Sequence, residues 1–232
     1  MAMNVRCLYI LCLRARSVFV WSFAFSILLH SPTVHSKPAG KIVDVPARPA
    51  FMRLPASSEL PAKVGQLVQN NTLLKTLIPG RMQVQLTSGR SFRLGGNAVL
   101  RVIGDALQLE KGQVIGWVHP GERLREPYRI KTRVGTSSIV GTTVYIDSAT
   151  DFVQFFSWEG LVKVNLNDGT TVTLRSGDQL ICHPRDEVIL NCSAPHRLSR
   201  AQLDRLRASV SLLHGYREPM HTMPIIERDL GY

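Results

Sequence analysis

The sequence predicts an all-β fold: short antiparallel strands in an elongated sandwich or β-roll, with one amphipathic helix near the C-terminus. Three observations predict it. Residues 139–164, IVGTTVYIDSATDFVQFFSWEGLVKV, form the longest strand-like run in the chain. Its β-branched and aromatic residues gather in dense blocks, broken by small polar residues and by Glu159-Gly160. Elsewhere apolar and polar residues alternate strictly, as in Met82-Gln83-Val84-Gln85-Leu86, the mark of a strand with one buried face. Finally, 13 Pro and 17 Gly are spread over the 232 residues, which suits many turns rather than long helices.

Taken from the start, residues 1–36 read as a secretory signal. Arg6, Arg14 and Arg16 are basic and no acid accompanies them, Val18 begins an apolar run of 12 residues, and Val34-His35-Ser36 offers small residues for cleavage after Ser36. A membrane span needs roughly 20 apolar residues, so an uncleaved anchor at this N-terminus is the alternative. Cys7 and Cys12 belong to this segment. The chain carries +11, and its mature part +8. Such a charge suits acidic polysaccharide, lipid phosphate or nucleic acid. The Arg residues are spread out, however, and no patch mixes aromatic and basic residues, so nucleic acid is disfavoured. Hydrophobic content of 44% supports a packed core and is too low for a multispanning membrane protein.

Residues 37–61 read as a linker, because Pro38, Pro46, Pro49, Pro55 and Pro61 recur without apolar periodicity. It either spaces a domain from a membrane or hangs as a free arm. The β-domain follows over residues 62–195. Pro79-Gly80, Ser88-Gly89, Gly95-Gly96-Asn97, Gly104-Asp105 and Glu110-Lys111-Gly112 read as turns between its strands. LEKG, SWEG and LRSG each place Gly between a strand and a new apolar run, which reads as repeated hairpin chemistry around Gly112, Gly160 and Gly177. Asn167-Asp168-Gly169 is a further hairpin signal. Over residues 128–134, Arg129, Lys131 and Arg133 share one face. That face is a solvated strand surface or, alternatively, a basic ridge for an anion.

The ordered series resembles the FecR-type periplasmic domain. Gly141, Thr142, Val144, Glu159, Gly160, Val162 and Val164 match its centre. Thr76, Gly80, Val84, Leu86, Gly89, Leu94, Ala98, Leu109 and Gly112 match its first half, and Gly177 with Leu180 its closing motif. The resemblance covers residues 64–182. It implies a periplasmic sensor that relays the state of an outer-membrane transporter to a sigma factor, through an N-terminal cytoplasmic segment and a membrane span. Only 17 residues precede Val18, too few for a folded cytoplasmic domain. In the family pattern Gly141, Thr142, Glu159, Gly160 and Gly177 are structural.

Cys182 and Cys192 flank a turn at Pro184-Arg185-Asp186. Strand ends in a hairpin come close enough for a disulfide, and export favours oxidation. A zinc site of Cys182, His183, Cys192 and His196 is the alternative, but neighbours on a strand point to opposite faces. In the final segment, residues 196–232, Ser199 and Gln202 make a capping box. Leu203, Leu206, Val210 and Leu213 recur at helical spacing, and Gly215 with Pro219 ends the helix. That helix either docks on its own β-domain or meets a partner or membrane. The tail from residue 216 shows no periodicity.

No nucleophile elbow, zinc-protease motif, P-loop or dinucleotide fingerprint occurs. Glu159 beside Trp158 is the one candidate general acid, weighed against its place in the family turn. Asp147 and Asp151 are a weak calcium signal. The sequence thus predicts a non-catalytic interaction or sensor module, exported to the periplasm or cell envelope, with no catalytic residue and no cofactor. An envelope protein or an acidic polysaccharide is its expected partner. A membrane-tethered regulator of the FecR type is the alternative, and a carbohydrate-active enzyme ranks below both.

Overall fold

The structure is a computed structural model that describes residues 37–87, 89–122, 126–184 and 190–232. The expected signal at 1–36, with Cys7 and Cys12, lies outside them, as does the turn at Arg185-Asp186.

The strands run in chain order as follows. First come β1 (Gly40–Ala47), β2 (Ala50–Arg53), β3 (Leu60–Pro61), β4 (Leu67–Val68), β5 (Leu73–Thr76) and β6 (Arg81–Leu86). Two long strands follow, β7 (Arg90–Ile103) and β8 (Ala106–Val118), then β9 (Tyr128–Lys131), β10 (Gly135–Ile139), β11 (Thr143–Ser148) and β12 (Val153–Glu159). The series ends with β13 (Leu161–Leu166), β14 (Thr171–Arg175), β15 (Asp178–Pro184), β16 (Leu190–Cys192) and β17 (His196–Arg197). All pairings are antiparallel except that of β8 with β9.

The pairings divide these strands into two layers that share β7 and β8. In one layer β3, β2 and β5 pair outward from the second half of β7, while β9, β10, β13 and β14 continue from the first half of β8. In the other, β4, β1 and β6 pair outward from the first half of β7. There β11, β12 and β15 continue from the second half of β8, and β16 and β17 pair with β15. Alternate residues of both layers meet in the main core, with Leu74, Leu100, Ile130 and Val164 on one side and Ile42, Val84, Phe92, Val144 and Phe155 on the other. This is the predicted all-β sandwich, and its sheet is not closed.

Two expected turns prove to be bends inside strands. β7 runs through Gly95-Gly96-Asn97 and β8 through Gly112, and the register slips between Gly95 and Val99, where the two strands leave one layer for the other. The bulge lets both strands turn together while the ladder resumes on each side. Nor are SWEG and LRSG hairpins. β12 and β13 lie in different layers, as do β14 and β15, so Gly160 and Gly177 sit at corners between layers. The Asn167-Asp168-Gly169 turn is a true hairpin, closed by the Leu166 amide on the Thr170 carbonyl at 2.8 Å.

The stretch read as a linker is also corrected. β1 pairs with β4 and β6, and β2 with β3 and β5. Ile42 and Met52 enter the core, and Pro46 falls where the β1 ladder slips, so its missing N–H costs no bond.

Past β17 the chain leaves the sheet and crosses its outer face. This strap, residues 198–232, holds α1 (Arg200–Ser209), a turn of 3₁₀ helix (Ser211–Leu213) and α2 (Met223–Leu230). The capping box forms, with the Ser199 amide donating to Gln202 Oε1 at 2.8 Å. Helix α2 is an element that the expected aperiodic tail did not include. Pro stands in its first turn and Gly231 ends it at φ 73°. Among the described residues no helix is long and apolar enough to cross a membrane.

The strap buries Leu203, Leu212, Leu213, Met220, Ile226 and Leu230 against Ile115, Trp117, Tyr145, Phe156 and Trp158. The dense runs around these strand residues therefore have two apolar faces, one for the main core and one for the strap. Of the two alternatives for the helix, its apolar face docks on its own β-domain.

Cys182 and Cys192 stand opposite each other on β15 and β16 and form a disulfide. Both thiols are thereby used, so the two-Cys, two-His metal set does not form. The bridge closes a loop of sequence separation 10 and is expected to contribute about 2–3 kcal/mol. Urea melts with and without reductant measure this, and identical midpoints would show that the bridge constrains nothing.

Candidate functional site

Two places gather chemistry-bearing side chains on the outer face of the second layer. The first contains the residues singled out from the sequence. Thr143 on β11 stands opposite Glu159 on β12, and Gly141, Thr142 and Gly160 lie at the same corner. The Thr143 hydroxyl donates to Glu159 Oε1 at 2.8 Å, and the Thr222 hydroxyl at the start of α2 lies 2.9 Å from Thr143 Oγ1. The Gly160 amide donates to Ser176 Oγ at 2.8 Å, whose hydroxyl donates to Asp229 Oδ2 on α2 at 3.1 Å. Gly177 continues the seam, since its amide donates to the Ser157 carbonyl and its carbonyl accepts from Leu198. This corner holds α2 to the sheet. Asp147 accepts from Gln113 and Tyr145. Among the described residues, no cluster of three or more His, Cys, Asp or Glu could hold a metal.

Glu159 is 3% exposed. Burial pushes its carboxyl above the usual range, Thr143 opposes this, and the charge of Asp229 adds to the rise while Arg228 counters it. Asp229 runs the other way. Burial raises it, but hydrogen bonds from Arg228, Ser176 and the Gly160 amide hold it below the usual value. Because Glu159 titrates higher folded than unfolded, its stabilising contribution is complete below the ordinary carboxylate range. That contribution is lost as the pH rises through the folded pKa. Glu159→Gln is therefore expected to match or exceed the parent in stability at neutral pH, and to lose that advantage on acidification. Melting temperatures measured from acid to neutral pH decide it. A variant less stable than the parent at every pH would show that the carboxylate's hydrogen bond outweighs its burial.

The second place was not foreseen from the sequence. Arg93 on β7 is wholly buried between the sheet and the strap. Its guanidinium donates to Gln83 Oε1 at 2.8 Å, to the Leu212 carbonyl at 3.0 Å and to the Glu218 carbonyl at 2.7 Å, and stacks 3.9 Å from the Tyr216 ring. Burial lowers its pKa to about 10. Next to it on β6, Arg81 donates to the Ser211 and His214 carbonyls, both at 2.8 Å. Beside this clamp opens a cavity of about 310 Å³. Lys41, Asp44, Gln83, Gln85, Ser91 and His119 line it from the sheet, and Arg217, Glu218 and His221 from the strap.

Ser91 Oγ and His119 Nε2 are 2.7 Å apart, and the His119 ring stacks on His221 at 4.6 Å. Burial, then the neighbouring His221, lowers the His119 pKa, and Glu122 opposes them. Ser91 is 1% exposed and laddered on both sides, to Gln85 and to Trp117. It therefore lacks the strained turn that presents a serine nucleophile. The cationic face over residues 128–134 is a solvated strand surface. Arg129 and Lys131 face solvent, but Arg133 donates to the carbonyls of Ala149, Thr150 and Phe152 and fastens that loop.

Ser91 and Arg93 were missed because they occupy polar positions in an alternating strand, and His119 because it opens a polar loop just past the end of β8. The signal lay next door. If β8 and β12 are apolar on both faces, the same cover reaches the outer face of β7.

No family model matches the chain, and no curated protein does. Among solved structures, a crystal structure of a chain proposed to be an anti-sigma factor from Parabacteroides distasonis ATCC 8503 is similar at 14% identity. Its TM-score is 0.45, over 56% of this chain and 61% of that one. A second crystal structure with the same description gives 16% identity and a TM-score of 0.44, over 52% of this chain and 58% of that one. This chain thus spans less than two thirds of the length of either.

Proposed function

We propose that this chain is an exported, non-catalytic interaction and sensor module of the cell envelope, of the FecR type. The observation that carries the reading is the polar cavity at the seam between sandwich and strap. Six of its polar side chains come from the sheet and three from the strap, so an occupant touches both and alters how firmly the strap is held. The disulfide fits an oxidising compartment. The ordered turn and core residues of the FecR-type pattern supply the family expectation.

Incubation with an envelope extract should slow hydrogen exchange at residues 83–85 and 217–221 and leave the extract chemically unchanged. Turnover of a glycan or peptide library by the pure protein, or labelling of Ser91 by a fluorophosphonate, would overturn the reading and return Glu159 to consideration. The exported form should begin at Lys37 by intact mass. A full-length mass in the membrane fraction would favour the tethered regulator instead.

A further inference from the structure

The seam cavity is built for a particular chemistry. Its walls carry both signs of charge, two amides, a hydroxyl and two imidazoles. Among the described residues, Lys41 and Arg217 are in no ion pair, although each lines the cavity. The Arg217 backbone amide donates to Asp44 Oδ2 at 2.7 Å and so fixes this part of the strap over β1. Asp44 and Glu218 line the same space as acceptors. Among the described residues Asp44 and Glu218 are in no ion pair either, so the walls offer donors and acceptors in balance: Lys41 and Arg217 suit one carboxylate, Asp44 and Glu218 suit hydroxyl donors, and the two carboxylates repel a multiply charged anion such as a phosphate dianion. A ligand with a single carboxylate and several hydroxyl donors answers both demands.

Ring-shaped partners fit as well. The Trp117, His119 and His221 rings form one stack, with centroids 6.4 Å and 4.6 Å apart, and the stack ends at His221 on the cavity wall. Buried Ser91 lines the same cavity, and its Oγ lies 2.7 Å from His119 Nε2. A second cavity of about 360 Å³ adjoins the first and shares Lys41, Gln85 and His119 with it. Its other walls, Pro38, Leu67 and Leu86 among them, are more apolar. Two adjoining compartments of this size suit two linked rings better than one.

We infer that the seam groove binds an acidic oligosaccharide, with a uronic acid residue in the cavity bounded by Lys41, Arg217 and the His119–His221 stack. The uronate carboxylate meets Lys41 and Arg217, its hydroxyls donate to Asp44 and Glu218, and Gln85 serves both the first ring and the next. This identification rests on the sensor-module reading above and names the class of its ligand.

The test is calorimetric titration of the purified chain with digalacturonic acid, with the neutral digalactose and inorganic phosphate as comparators. Saturable binding of the uronate is expected, with the neutral sugar weaker by roughly tenfold or more, the size of one lost charge-assisted hydrogen bond. Arg217→Ala and Lys41→Ala should each weaken the uronate by a similar factor at unchanged melting temperature. Arg129→Ala, on an exposed face of the other layer, should change nothing. Equal affinity for both sugars, tighter binding of phosphate, or no saturation at millimolar uronate would each overturn the inference. Failure here with persisting exchange protection by envelope extract would leave the module reading standing. Binding followed by cleavage of the uronate would sink that reading too.

Discussion

Arg93→Ala is expected to destabilise the protein by about 3–5 kcal/mol and to free the strap first. The substitution leaves Gln83 Oε1 and the carbonyls of Leu212 and Glu218 without their donor. An orphaned acceptor costs about 1–3 kcal/mol where it is buried, as the Leu212 carbonyl is, and less at the part-buried Gln83 and Glu218 acceptors, and the vanished stem opens a void against Trp117 and Tyr216. Relief of the buried charge offsets part of this, since burial already lowers the Arg93 pKa to about 10. Arg93→Met separates the two causes, because it fills the space without donating. Hydrogen exchange at residues 211–218 should accelerate in both variants, whereas the denaturant midpoint should fall further in the alanine variant. Unchanged exchange there in both would mean that the apolar seam alone holds the strap.

Gly112→Val is expected to cost a similar amount, about 3–4 kcal/mol, through the bend shared by β7 and β8. Gly112 sits at φ 85°, and a Cβ there would run into the backbone of Ala98, which cannot step aside as a flexible side chain can. Gly141 makes the contrast. It has φ 63°, but nothing lies within 4 Å of the place a Cβ would take. Gly141→Val should therefore cost only the backbone strain of a left-handed residue, about 1–2 kcal/mol. Paired urea melts settle the order, and equal losses at the two positions would show that crowding by Ala98 is not what Gly112 avoids.

These two sites also show what was legible in the chain. Alternation in residues 82–86 and 128–131 was plain, because one face meets the core and the other meets water. Gly112 was recognised as a break but assigned to a turn. A glycine at positive φ serves a hairpin and a mid-strand bulge equally, and only the non-local pairing of β8 with β9 and β11 distinguishes them. The prolines at 46 and 49 masked β1 and β2, since a sequence shows the lost N–H but not whether a partner would have used it. Helix α2 carried its signals in Pro224, Ile226, Leu230 and Gly231, over a stretch too short for periodicity to emerge. At the candidate site, the pairing of Cys182 with Cys192 could be read from local pattern, whereas the SWEG stretch read as a hairpin and only the layer change at Gly160 makes it a corner. The seam groove could not, because its walls are drawn from β1, β6, β7 and the end of the strap, which meet only after the sandwich has formed.

The strap has a consequence for the order in which the chain is made. Synthesis runs from the N-terminus, so all seventeen strands of the described residues are made before residues 198–232 appear. During that interval Ile115, Trp117, Tyr145, Phe156 and Trp158 lack the strap that covers them, and their apolar, mostly aromatic surface is open. Such a surface is a site of mistaken association between nascent chains. A ribosome that stalls or stops after Arg197 would therefore release a product that carries these strands but lacks the cover of their outer apolar face.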